Sequence, residues 1–96
     1  DILEFGEDEQ VEQMLQILHS NKIRDSIVIK YDLLNHYEIK KDDPFKYTKL
    51  FKLFESNVQF KRTENSAVKI IVYDRNAQDA ADIANDIASL YDIVKN

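Results

Sequence analysis

The chain has 96 residues, of which 44% are hydrophobic and 32% charged, the make-up of one small soluble-type domain rather than a disordered segment. A net charge of −5 argues against a general nucleic-acid binder, and a single glycine and single proline argue against phosphate-cradling glycine loops. Cysteine is absent, which removes disulfides, thiolate metal sites and cysteine nucleophiles. No apolar run approaches the ~20 residues that a membrane helix needs. The chain starts without methionine and stops inside a helical pattern, so it is expected to be a segment of a longer protein.

In chain order, Asp1–Phe5 ("DILEF") is a candidate short strand ended by Gly6. "EDEQ" then places acids where a helix macrodipole favours them, and Val11, Met14, Leu15 and Leu18 follow at helical spacing, predicting a helix over about 8–19. Ser20 is a candidate N-cap for a second helix, about 21–35, with Ile23, Ile27, Tyr31 and Leu34 on one face. A polar loop leads to Pro44. A third helix, about 45–56, carries a stripe of Tyr47, Leu50, Phe51 and Phe54.

From Val58 the period changes to two. Strands are predicted over about 58–63 and 67–73, joined by Glu64, Asn65 and Ser66 as an antiparallel hairpin. The second strand, apolar on both faces apart from Lys69, is expected to lie centrally. The last helix, about 76–95, has the clearest start: Asn76 as N-cap and Asp79 in position for a capping box. Its buried stripe is expected at Ala80, Ala84, Ile87, Tyr91 and Val94, with the small Ala80 and Ala84 letting it approach the sheet. The prediction is one α+β domain over 1–96, a small antiparallel sheet with about four helices. Two strands are few for a stable sheet, so 2–5 is a candidate third.

Candidate chemistry is sparse. His19 and His36 show no ligand spacing, and a helix-terminus role suits His19 better than metal ligation. Asp79, Asp82 and Asp86 recur along what is expected to be the exposed face of the last helix. A solvated acidic face is the simpler account, since calcium asks for six or more oxygens from a shaped loop. Asp42 and Asp43 are adjacent and do not form an opposed glycosidase pair; turn formation and capping before the third helix explain them. The serines at 20, 26, 56, 66 and 89 lack nucleophile-elbow glycines. Tyr47, Phe51, Phe54 and Phe60 read as core rather than as a base-stacking platform, and Lys61 and Arg62 point to opposite strand faces. No catalytic residue, metal or cofactor is expected, and the chain does not read as an enzyme.

Three stretches in order carry a family resemblance: "EQMLQILHSNKIRDSIVIKYDLLNHYEI", then "YTKLFKLFES", then "SNVQFKRTENSAVKIIVYDRNAQDAADIANDIASLYDIV". Together they resemble the periplasmic region of the Wzz-type polysaccharide chain-length determinants, the polysaccharide co-polymerases. "AADIANDIA" is the most specific part, and the resemblance covers almost the whole chain. One departure is the absence of a proline after the strand's aspartate, where this chain reads Asp74-Arg75-Asn76-Ala77.

The resemblance implies a membrane-proximal periplasmic domain of a bacterial inner-membrane protein with flanking transmembrane helices. Such proteins form homo-oligomeric rings and set the chain length of O-antigen (the lipopolysaccharide side chain), capsule or exopolysaccharide made by a partner polymerase. The growing glycan is a further partner, and some relatives pair with a cytoplasmic tyrosine kinase. Asp79, Asp82 and Asp86 are then the candidate subunit-contact face, with Asn76, Ala80 and Ala84 as structural residues. The alternative is a periplasmic protein- or ligand-binding adaptor without catalysis.

Overall fold

The computed structural model describes residues 2–5, 11–65 and 67–95. It is an α+β fold. In chain order it runs β1 (Ile2–Phe5), α1 (Val11–Leu18), α2 (Asn21–Lys30), α3 (Leu33–His36), α4 (Lys46–Asn57), β2 (Val58–Arg62), β3 (Val68–Val72) and α5 (Ala77–Lys95). The three strands form one antiparallel sheet in the order β1-β3-β2. The candidate strand over 2–5 is therefore part of it, and the apolar strand is central as its composition predicts.

The hairpin register sets Val58 opposite Val72 and Arg62 opposite Val68, while β1 sets Ile2 opposite Ile71 and Phe5 opposite Val68. Because side chains alternate, Val68, Ile70 and Val72 share one face of β3 with Val58 and Phe60 of β2. These three β3 residues are buried. Lys69 and Ile71 take the other face, level with Lys61 and Gln59. The turn is closed by the Thr63 amide donating to the Ala67 carbonyl, and by the Ala67 amide donating to Thr63 Oγ1 at 3.1 Å.

One continuous core joins the sheet to the helices. It takes Val11, Met14 and Leu18 from α1, Ile23 and Ile27 from α2, Leu33 from α3, and Leu50 and Phe54 from α4. From α5 it takes Ala80, Ile83, Ala84, Ile87 and Tyr91. Ala80 and Ala84 are buried and have no bulk beyond Cβ, which lets the first turns of α5 sit close against their neighbours in the core. Val94, expected in the stripe, is only half-buried. Tyr47 is likewise displaced from the predicted α4 stripe and is exposed, while Phe51 is half-buried.

The expected second helix is broken in two. Ser20 caps its start, accepting from the Ile23 amide at 3.4 Å, but α2 ends at Lys30 and Asp32 adopts the left-handed region (φ 47°, ψ 58°). The physical reason lies in Leu33. In an unbroken helix it would sit about 80° off the Ile23–Ile27 face. The left-handed step at Asp32, a residue type that tolerates it, re-phases the chain and brings Leu33 to zero exposure. α3 then closes in a Schellman-type ending, with Ile39 N donating to Leu34 O and Glu38 N donating to Asn35 O, both at 2.9 Å. Glu38 (φ 61°) holds the position that glycine usually occupies.

The remaining differences are small. α1 is described from Val11; the acids expected at its start lie in 7–10, outside the described residues, and Glu12 is the acidic residue of its described first turn. The hairpin turn falls as expected, with Ser66 outside the described residues.

Candidate functional site

The polar groups of interest gather where α2, α3 and the start of α5 meet. α5 begins with Asn76, whose Oδ1 accepts from the Asp79 amide at 3.0 Å, the N-cap that the sequence predicts. The reciprocal half of the capping box is filled differently. Asp74 Oδ1, not the Asp79 carboxylate, accepts from the Asn76 amide at 3.0 Å. An Asx turn ahead of the cap thus takes over the task, and it leaves the Asp79 carboxylate free for other partners.

That carboxylate joins a cluster. His36 Nε2 lies 2.7 Å from Asp74 Oδ2, and one ligand-type atom each from His36, Asp74 and Asp79 all fall within 4.8 Å of one another. Asp74 is the most enclosed, its side chain 3% exposed against 20% for His36. Arg75 frames the group: its guanidinium donates to the His36 carbonyl at 2.8 Å and pairs with Glu38 at 3.2 Å. Beside it opens a cleft of about 360 Å³ whose walls include Tyr37, Leu53, Asn57 and Tyr73. Burial pushes the Tyr37 phenol up in pKa, opposed by a hydrogen bond with Asn57 and assisted by the Asp74 charge.

The acidic series on α5 is not uniformly exposed as the sequence suggests. Asp79 is half-buried in the cluster just described, and Asp82 is exposed, accepting from Gln78 Nε2 at 2.9 Å. Asp86 is half-buried against α2: it accepts from the Tyr31 hydroxyl and pairs with Lys30 Nζ at 2.7 Å. Burial works to raise the Asp86 pKa, but the Lys30 and Tyr31 hydrogen bonds outweigh it and the net direction is down. The Tyr31 phenol moves up, first through burial and then through the Asp86 hydrogen bond. Tyr31 and Leu34, predicted as plain core residues, are half-buried, and Tyr31 takes the polar role. The reason is that Tyr31 is the C-cap residue just after α2 and its hydroxyl reaches Asp86 of α5.

Elsewhere several side chains singled out from the sequence have structural partners. Asp43 Oδ2 pairs with Lys49 and Oδ1 accepts from the Phe45 amide at 2.8 Å, and the Lys49 contact first, then the Phe45 bond, hold its carboxyl below the usual range. This is the turn role expected for the Asp42–Asp43 pair; the expected cap is not made, because the N-cap of α4 is Phe45 and no side chain caps that helix start. His19 packs edge-on against Phe60, with ring centroids 5.0 Å apart. Arg24 lies 3.9 Å over the Phe51 ring. These residues, with Phe54 and Val58, border a second cleft of about 500 Å³ between the α1–α2 turn, α4 and β2.

The His36–Asp74–Asp79 cluster escapes sequence reading because its members are 38 and 43 residues apart, on α3 and around the start of α5, with no motif spacing. Their only advance signal is the Asn76 cap, which predicts that Asp74 and Asp79 flank one helix start. No protein-family model, curated protein or solved structure matches this chain. Among the described residues no helix is long and apolar enough to cross a membrane.

Proposed function

We propose that this domain belongs to a Wzz-type regulator of polysaccharide chain length, acting by assembly beside a membrane polymerase rather than by catalysis. The observation that carries the reading is the strand–helix corner. "AADIANDIA" follows the β2–β3 hairpin, and its register turns Ala80, Ile83, Ala84 and Ile87 into the core while α5 runs on for 19 residues to Lys95. Such a stiff, closely seated helix suits a protein whose work is to hold neighbours in a fixed arrangement.

On this reading the parent is anchored in a bacterial inner membrane, this domain faces the periplasm, and copies associate into a homo-oligomer. The polymerase and its growing glycan are the partners, with a cytoplasmic tyrosine kinase in those systems that pair with one. Of the acidic residues offered as a subunit contact, Asp82 is the exposed one, since Asp79 is half-buried beside His36 and Asp74, and Asp86 is bonded to Tyr31 and Lys30. The test is deletion of the parent gene followed by gel analysis of surface-glycan length. The expected result is loss of the modal length, restored by the intact gene; an unchanged length distribution would overturn the reading.

A second reading, a periplasmic binding adaptor, is favoured by the apolar-walled cleft bounded by Phe51, Phe54 and Phe60. A stable one-to-one complex of the parent with a soluble partner, without any change in glycan length, would support it instead.

A further inference from the structure

The geometry points to a divalent transition-metal site of the zinc class formed by His36, Asp74 and Asp79, tying the end of α3 to the start of α5. The three donors are one imidazole nitrogen and two carboxylate oxygens, all within 4.8 Å of one another. Ligand atoms about 2.1 Å from a tetrahedral ion are about 3.4 Å apart. The set therefore has to contract by at most about 1.4 Å at its widest, while the 2.7 Å His36–Asp74 contact opens by about 0.7 Å as the ion replaces the bridging proton. Side-chain rotation of Asp79, half-buried in the first turn of α5, supplies a movement of that size.

The surroundings meet the requirements of a built site. Asp74 has a side chain 3% exposed, and its second oxygen is fixed by the Asn76 amide, so Oδ2 is held toward His36. Arg75 fixes the peptide that carries the imidazole by donating to the His36 carbonyl. The cleft of about 360 Å³ lined by His36 and Asp74 gives the ion an entry path and leaves room for a water as fourth ligand. Two effects oppose a cation here, the Arg75 guanidinium, which is exposed and already paired with Glu38, and the positive end of the α5 dipole. The dipole amounts to about half an elementary charge and the Arg75 charge is offset by Glu38, against two carboxylates at the site, so the balance favours the ion.

Donor type narrows the metal. Calcium asks for six or more oxygens and magnesium for a near-octahedral oxygen shell, whereas three protein donors including an imidazole suit zinc, cobalt or nickel. Bound there, the ion would fasten α3, a four-residue turn with left-handed residues on both sides, to the longest helix of the fold.

The experiment is titration of the metal-free protein with Zn²⁺ by calorimetry and with Co²⁺ by visible absorption, with thermal unfolding in parallel. The expected result is one saturable ion per chain, a visible Co²⁺ spectrum of tetrahedral type, and a Tm raised by about 10 °C at a hundredfold excess over Kd. Affinity should fall at least tenfold in both His36→Ala and Asp79→Asn and stay unchanged in His19→Ala, while Ca²⁺ leaves Tm in place. Should His36→Ala fail to fold, Asp79→Asn and the Co²⁺ spectrum decide, because asparagine keeps the size of the side chain and the backbone cap. Absence of saturable one-to-one binding, or undiminished binding in either folded variant, overturns the site.

Discussion

At the scale of single residues, Asp32 and Glu38 hold left-handed positions that the fold requires at a cost. Glu38 stands in the left-handed region at the end of α3, where a side chain crowds the backbone by roughly 1 kcal/mol. Its return is an exposed pairing with Arg75 at 3.2 Å, and exposed pairs contribute little. Glu38→Gly is therefore expected to raise unfolding free energy by about 0.5–1 kcal/mol, seen as a higher denaturant midpoint at unchanged slope. A lower midpoint would show that the Arg75 contact outweighs the strain. Tyr31 and Asp86 give a pH signature with two limbs. Asp86 has a folded pKa below its unfolded one, so its contribution is present above the ordinary carboxylate range and is lost as pH falls through the lowered value. Tyr31 has a folded pKa above its unfolded value of about 10, so stability falls as pH rises beyond that point and the unfolded chain alone ionises. Asp86→Asn should flatten the acid limb of Tm against pH, and Tyr31→Phe the alkaline limb. Limbs as steep as in the parent would remove these two groups as the cause.

At the scale of elements, the apolar period and the cap residues made most of the fold legible. α5 carries both signals, Asn76 at its start and a stripe from Ala80 to Tyr91, and its position follows them. The β2–β3 hairpin follows from the change to a period of two. The second helix failed at Tyr31–Asp32 because the apolar pattern continues through the break: Leu34 still falls on the predicted face, and only the burial of Leu33 demands a new phase. Such a break is a tertiary decision, made by the core rather than by local propensity. The closeness of α5 to the sheet is tested by Ala84, which has zero exposure. Ala84→Leu adds three carbons where no space exists and should destabilise by about 1–3 kcal/mol. Chemical denaturation measures this directly, and an unchanged midpoint would mean that the helix can tilt away from the sheet at little cost.

At the scale of the whole molecule, the least legible features are those that join distant parts of the chain. The His36–Asp74 contact and the Tyr31–Asp86 contact span 38 and 55 residues, and no spacing rule reaches that far. The third strand was legible only as a need: a hairpin of two strands is too little sheet to stand well alone, and "DILEF" was an available segment. Its pairing with β3 closes the chain's first residues onto its last strand, antiparallel from Ile2↔Ile71 to Phe5↔Val68. This arrangement makes a position-specific prediction. Along a central antiparallel strand, successive amides point alternately to the two neighbours, so alternate β3 amides depend on β1 while the others depend on β2. Removal of residues 1–5 should speed hydrogen exchange at every second amide between Val68 and Val72, leave the intervening ones protected by the hairpin, and lower the denaturant midpoint. Uniform protection along β3 in the shortened chain would show that β1 adds nothing to the sheet. Uniform loss would show that the hairpin cannot persist without its third strand.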